Sequence, residues 1–231
     1  MSNPKQEAEI LVGALFEKYG SGEGKTPLWI DGKESILEME VNKGPSWKEV
    51  EWPGFYIKYL LQKFCLQNPD CKIVPYNNGK RHFIKGNFLW DTRVHDFKKN
   101  EIPLGDIRQY DDLISSNNGI GVILVNAEIS TDKSGNFRSW HDSLKGNSSK
   151  YLIQGKQLGR RERPRKEKIL IKQVSAYFLR SGDLERGITE GWATDRFQGT
   201  MKNATLPKRN KKYEILKSKI PSENLLFTKN F

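Results

Sequence analysis

The chain has 231 residues, with 39 Lys and Arg against 28 Asp and Glu, a formal net charge of +11 and a pI near 9.5. Aromatics make up 11% of it, including six Trp, which argues against disorder. The longest apolar stretch, residues 119–125, falls far short of the roughly 18 residues a membrane helix needs. Residues 1–9 lack the apolar segment of a secretory signal, and two cysteines cannot build a disulfide scaffold. These features point to a protein of the reducing cytoplasm, and its charge to a polyanionic partner.

In chain order, residues 4–19 predict a helix, with Ile10, Leu11, Ala14 and Leu15 at helical spacing and Gly20 at its end. Gly24-Lys25-Thr26 lacks the earlier glycine of a phosphate loop, since Tyr19 stands there and Pro27 follows. Ser46-Trp47-Lys48-Glu49 matches a capping box and predicts a second helix from Ser46, which Pro53-Gly54 kinks or delays. Its stripe is Phe55, Tyr59, Leu60, Phe64 and Cys65, and Asn68-Pro69-Asp70 ends it. Cys65 and Cys71 read as small buried residues rather than a reactive pair.

Strands are predicted over 72–76, 83–84 and 88–94, separated by Asn77-Asn78-Gly79 and Lys85-Gly86-Asn87. A helix follows over 106–116, with Ile107, Leu113 and Ile114 inward. Residues 119–129 are nearly continuously apolar, as in a strand buried on both faces of a mixed sheet. Beyond a turn at 132–135 come a helical stretch at 151–157, a strand at 168–179 and a turn or short helix at 182–187. Polar and basic residues dominate from Thr194, apart from an apolar return at 213–216. The order predicts a single α/β domain with a central mixed β-sheet flanked by helices. Its core spans about 46–180, and a basic C-terminal part spans about 181–231.

On the strand 88–94 and just beyond it, Asp91, Arg93 and His95 share one face and Trp90, Thr92 and Val94 the other. A carboxylate there can bind a divalent cation, an arginine can stabilise a charged phosphate, and a histidine can position water. The same pattern also suits an exposed face with an Asp–Arg ion pair. Candidate partner carboxylates are Glu51 and Glu128. Glu49 has a capping role to explain it, which Glu51 lacks, and Glu128 ends an apolar strand, a common site position in open sheets. Three scattered histidines and two cysteines give no zinc spacing. The run Arg160, Arg161, Arg163, Arg165, Lys166 and the pair Lys208, Arg209 suit DNA phosphates, while Gln198, Asn203 and Arg209 are types that read base edges.

Three stretches together resemble type II restriction endonucleases of the PD-(D/E)XK superfamily. Glu51-Trp52-Pro53-Gly54-Phe55-Tyr56 resembles a Gly-Phe-Tyr helix of this group. Trp90-Asp91-Thr92-Arg93-Val94-His95 is similar to its Trp-Asp-x-Lys-x-His strand, and residues 137–151 resemble a downstream segment. Phe197-Gln198, Asn203 and Lys212-Tyr213 resemble its C-terminal end. The resemblance implies a restriction-endonuclease-like fold and Mg²⁺-dependent hydrolysis of double-stranded DNA at a short specific sequence. It also implies a homodimer reading a palindrome and a DNA methyltransferase encoded nearby. By position, Asp91 matches the acid of the half-motif and Arg93 its lysine, with His95 beside them. The Pro-Asp half is absent just upstream, where Glu51 would stand in. Arginine hardly loses its proton, so it cannot act as a base. A non-catalytic nucleic-acid-binding protein is the alternative.

Overall fold

The computed structural model describes residues 3–17, 28–44, 46–76, 80–146, 157, 164–196 and 211–231. Its elements are α1 (Pro4–Phe16), β1 (Leu28–Asp31), α2 (Gly32–Val41), α3 (Trp52–Gln67), β2 (Cys71–Tyr76), β3 (Lys80–Lys85), β4 (Phe88–Asp96) and β5 (Glu101–Asp106). They continue as α4 (Ile107–Ser116), β6 (Ile120–Thr131), α5 (Asn136–Leu144), β7 (Lys166–Leu179), α6 (Asp183–Glu190), β8 (Ala193–Arg196), β9 (Lys212–Leu216) and β10 (Leu225–Asn230). Seven strands form the central mixed sheet in the order β1-β7-β6-β4-β3-β2, with β10 continuing along the β1 edge of β7. The strands β2, β3 and β4 form an antiparallel meander. β4 and β6 run parallel, and β6 and β7 antiparallel. A small antiparallel sheet, β5-β9-β8, stands apart.

The apolar run of β6 places that strand at the centre, where its first eight residues are buried. Alternation then divides the core in two. Trp90, Ile123 and Val125 meet the apolar faces of α1, α2 and α3. Leu89, Val122 and Leu124 meet Tyr110 of α4 and the small-sheet residues Ile102, Leu104 and Ile215. Trp90 pairs in register with Gly121, where a Cβ would come within 2.1 Å of the indole. The glycine therefore makes room for the tryptophan, whose Nε1 donates to Glu7 at 3.3 Å.

Several local expectations are corrected. The second helix begins at Trp52, the delayed start that Pro53-Gly54 allowed for, while the cap at Ser46 is not formed, since Ser46 adopts φ 60°, outside the geometry of an N-cap. Cys65 and Cys71 are buried as expected but joined as a disulfide between the end of α3 and the start of β2. The elements β1, α2, β5, α5, β8 and β10 lie where no element was predicted. Asp31 caps α2, accepting from Lys33 N and Glu34 N. The turn at 77–79, the loop with Gly24 and all but one residue of the stretch 151–157 lie outside the described residues. Among the described residues, no helix is long and apolar enough to cross a membrane.

One irregularity positions the site. The β2–β3 ladder runs its full length, from Cys71–Lys85 to Tyr76–Lys80. The β3–β4 ladder stops at Phe83–Trp90. On its other edge β4 stays paired with β6 as far as Asp96–Ala127. The sheet is therefore split beside Asp91.

Candidate functional site

Asp91 lies at that split, fully buried, on the face opposite Trp90. An isolated buried carboxylate is costly, so its partners decide whether the site can exist. Arg93, two residues on, places Nη2 2.6 Å from Oδ2. Tyr110, from α4, donates its hydroxyl to Oδ2 at 3.0 Å. Thr92 N donates to Oδ1 at 2.8 Å. Lys58, from the middle of α3, donates to Oδ1 at 3.0 Å. It comes from a helix packed on the Trp90 face, so its chain must pass β4 where the ladder has ended. His82, next to the last paired residue of β3, brings Nδ1 to 3.6 Å from Oδ1.

Burial by itself would raise the pKa of Asp91. The charges of Arg93, Lys58 and His82 outweigh it and hold the carboxyl far below the usual range. Burial disfavours the charged form of Arg93 too, and Asp91 more than compensates. Burial, then the Asp91 charge, pushes the Tyr110 hydroxyl well above its ordinary value. Asp91 is thus ionised, Tyr110 neutral and Arg93 cationic. The lysine and arginine side chains keep 15% and 28% of their surface exposed, so neither is sealed off as Asp91 is.

The expected face is only partly assembled. Asp91 and Arg93 meet, but His95 turns away and donates Nε2 to Lys99 O at 3.2 Å. Burial chiefly lowers its pKa. With Glu51, Asp96, Glu101, Arg196 and Glu214, His95 lines a cleft of about 1050 Å³ beyond the carboxyl ends of β4 and β6. Glu51 is exposed before α3 and paired with Lys166 of β7. Glu128 is exposed on β6 and pairs with Lys172 at 3.6 Å. Neither carboxylate belongs to the Asp91 cluster.

The divalent ion implied by the sequence resemblance does not fit these residues as they stand. Among the described residues Asp91 is the only carboxylate in the cluster, and four donors already occupy its two oxygens. No group of three His, Cys, Asp or Glu side chains among the described residues could hold a metal ion.

Of the basic run, Arg165 is 3% exposed and ion-paired with Asp142 at 2.9 Å, while its carbonyl accepts from Asp132 N. It is a tether between β7 and α5 rather than a free surface cation. Lys166 is held by Glu51. Arg160, Arg161, Arg163, Gln198, Asn203, Lys208 and Arg209 lie outside the described residues. Lys58, His82 and Tyr110 were not foreseen as site residues. The one available signal was Lys58 itself, a lone cation in the run Ile57-Lys58-Tyr59-Leu60-Leu61, whose other members are all buried. No family model, curated protein or solved structure matches the chain.

Proposed function

We propose that the protein is a site-specific endonuclease of the restriction type, hydrolysing phosphodiester bonds in double-stranded DNA. The observation that carries this reading is the Asp91 cluster. Polar groups of this kind are rare in the middle of a buried strand, and perturbed groups gather at functional sites. The amine that the half-motif lacks at Arg93 is supplied by Lys58. Two partly exposed cations held by one carboxylate suit a phosphate whose charge grows during cleavage. In this reading Arg93 and Lys58 bind and orient the phosphate, while Asp91 and Tyr110 fix Arg93. The net charge of +11 draws DNA to the surface, with Arg160, Arg161, Arg163, Lys208 and Arg209 on its backbone and Gln198 and Asn203 on base edges. A cytoplasmic homodimer and a neighbouring methyltransferase complete the proposal.

A second reading, a double-stranded DNA-binding protein that does not cleave, draws on a different observation. Both oxygens of Asp91 are engaged by the chain's own donors. Incubation with supercoiled plasmid, with and without Mg²⁺, followed by electrophoresis separates the two. Discrete fragments support the endonuclease. Retarded but intact plasmid supports the second reading, and unshifted, uncut plasmid overturns both.

A further inference from the structure

We propose that Lys58 closes Asp91 to divalent metal ions in the DNA-free protein, its ammonium serving as the carboxylate's built-in cation. The proposal deepens the reading of the Asp91 cluster as the functional site, but the occupancy behind it and its test involve no DNA.

An ionised carboxylate offers about four acceptor positions. Lys58 Nζ and Thr92 N take Oδ1, at 3.0 and 2.8 Å, and Arg93 Nη2 and the Tyr110 hydroxyl take Oδ2, at 2.6 and 3.0 Å. A magnesium–oxygen bond is about 2.0–2.1 Å long, so an ion must displace a donor rather than settle among them. Three of the four cannot readily leave. Thr92 N is fixed by the strand, Tyr110 is 1% exposed within the second core, and Arg93 makes the shortest contact, 2.6 Å, on the oxygen it shares with Tyr110. Lys58 remains, a single flexible amine on the one oxygen that faces the split.

Charge leads to the same residue. An ion on Oδ1 would sit against Lys58, with Arg93 on the neighbouring oxygen and no second carboxylate among the described residues to offset them. Other carboxylates of the chain also pair with lysine, as Glu51 does with Lys166 and Glu128 with Lys172, but those carboxylates are 57% and 48% exposed and exchange with water. At Asp91 the carboxylate has no exposure, so its partner decides which cation it holds. The helix holds the Lys58 backbone in place beside the split, since Ile57, Tyr59, Leu60 and Leu61 on either side of it are buried.

The test is titration with Mn²⁺, reading the free-ion signal by electron paramagnetic resonance, with the whole chain and no DNA. The wild type should bind no Mn²⁺ that Asp91→Asn abolishes. Lys58→Glu exchanges the blocking cation for a second carboxylate. Since a carboxylate then attracts the ion that the ammonium repelled, its Mn²⁺ affinity should exceed the wild type's by on the order of tenfold or more. That gain should vanish in Lys58→Glu/Asp91→Asn. Lys58→Gln, which removes charge at similar size, should fall between, and it replaces Lys58→Glu if that variant does not fold. Wild-type binding that Asp91→Asn abolishes would overturn the proposal. So would a folded Lys58→Glu that binds no better than wild type. Either result would leave the endonuclease reading standing, whereas uncut plasmid would sink that reading and leave the metal exclusion intact.

Discussion

Replacing Asp91 with Ala should damage the fold as well as any activity. The substitution removes at once the acceptor of Lys58, Arg93, Tyr110 and Thr92 N. Breaking a buried ion pair from one side costs about 3–5 kcal/mol, because the other charge is left uncompensated. The side chains of Lys58 and Arg93 are partly exposed, which favours the lower end. Tyr110 has no such exposure, and an unsatisfied buried hydroxyl adds about 1–3 kcal/mol. A net loss of roughly 4–6 kcal/mol follows, a large part of the 5–15 kcal/mol typical of a domain. For a chain of this size each kcal/mol lowers Tm by about 2–4 °C, giving about 8–24 °C in all. Urea denaturation followed by tryptophan fluorescence, paired with a thermal melt, measures it. A companion variant, Asp91→Leu/Lys58→Met/Arg93→Met, should recover much of the loss, since apolar replacement of a whole buried ionic cluster is often neutral or stabilising. An Asp91→Ala protein within about 0.5 kcal/mol of wild type, the range of a plain surface change, would refute the reasoning. The assay also guards the functional test: cleavage lost in an unfolded variant says nothing about chemistry.

His141 is fully buried, and burial first, then Lys145, lowers its pKa to about 4. Its folded pKa lies below the unfolded value near 6.5, so its contribution is complete above about pH 6.5 and is lost as pH falls toward 4. Between pH 7 and 4 the wild type should lose up to about 3 kcal/mol more than His141→Gln, read from urea midpoints; parallel curves would contradict this. Gly121→Ala should cost about 1–3 kcal/mol or more in thermal melts by driving a methyl group into the Trp90 ring. Arg160→Ala/Arg161→Ala/Arg163→Ala should weaken binding to all DNA sequences alike, flattening the log affinity–log salt slope by about 0.9 for each phosphate no longer neutralised. Arg165→Ala should destabilise the fold and leave that slope unchanged, because its guanidinium is buried on Asp142.

What the sequence disclosed was mainly periodic. The apolar run 119–129 became β6, and the alternation around Asp91 put Asp91 and Arg93 together. The capping box at Ser46 misled because a four-residue pattern carries no information about φ, and the left-handed turn there removes the cap. α5 went unseen because its N-terminus is organised from outside the helix. Asp132 accepts from Gly135 N and Arg138 N across a turn. Glu51 and Glu128 looked like site carboxylates because neither had a local explanation, and each has a remote one in a lysine of β7. The composition of the Asp91 cluster shows the limit most clearly. Lys58, His82 and Tyr110 lie 33, 9 and 19 residues from Asp91 in sequence, and they converge only because α3, β3 and α4 pack around one split in a sheet.

The outer edge of β7 is closed in two pieces by strands far apart in the chain. Residues Lys168–Ile171 pair with β1, and Gln173–Tyr177 pair with β10. During synthesis the β1 half can close as soon as β7 emerges, whereas Gln173–Tyr177 must wait for residues 225–230. For that interval an apolar strand presents unpaired backbone groups, the template on which chains join edge to edge. Soluble yield should therefore depend on how fast the last strand arrives. A chain stalled or cut before Leu225 would leave that half of the edge open to self-association.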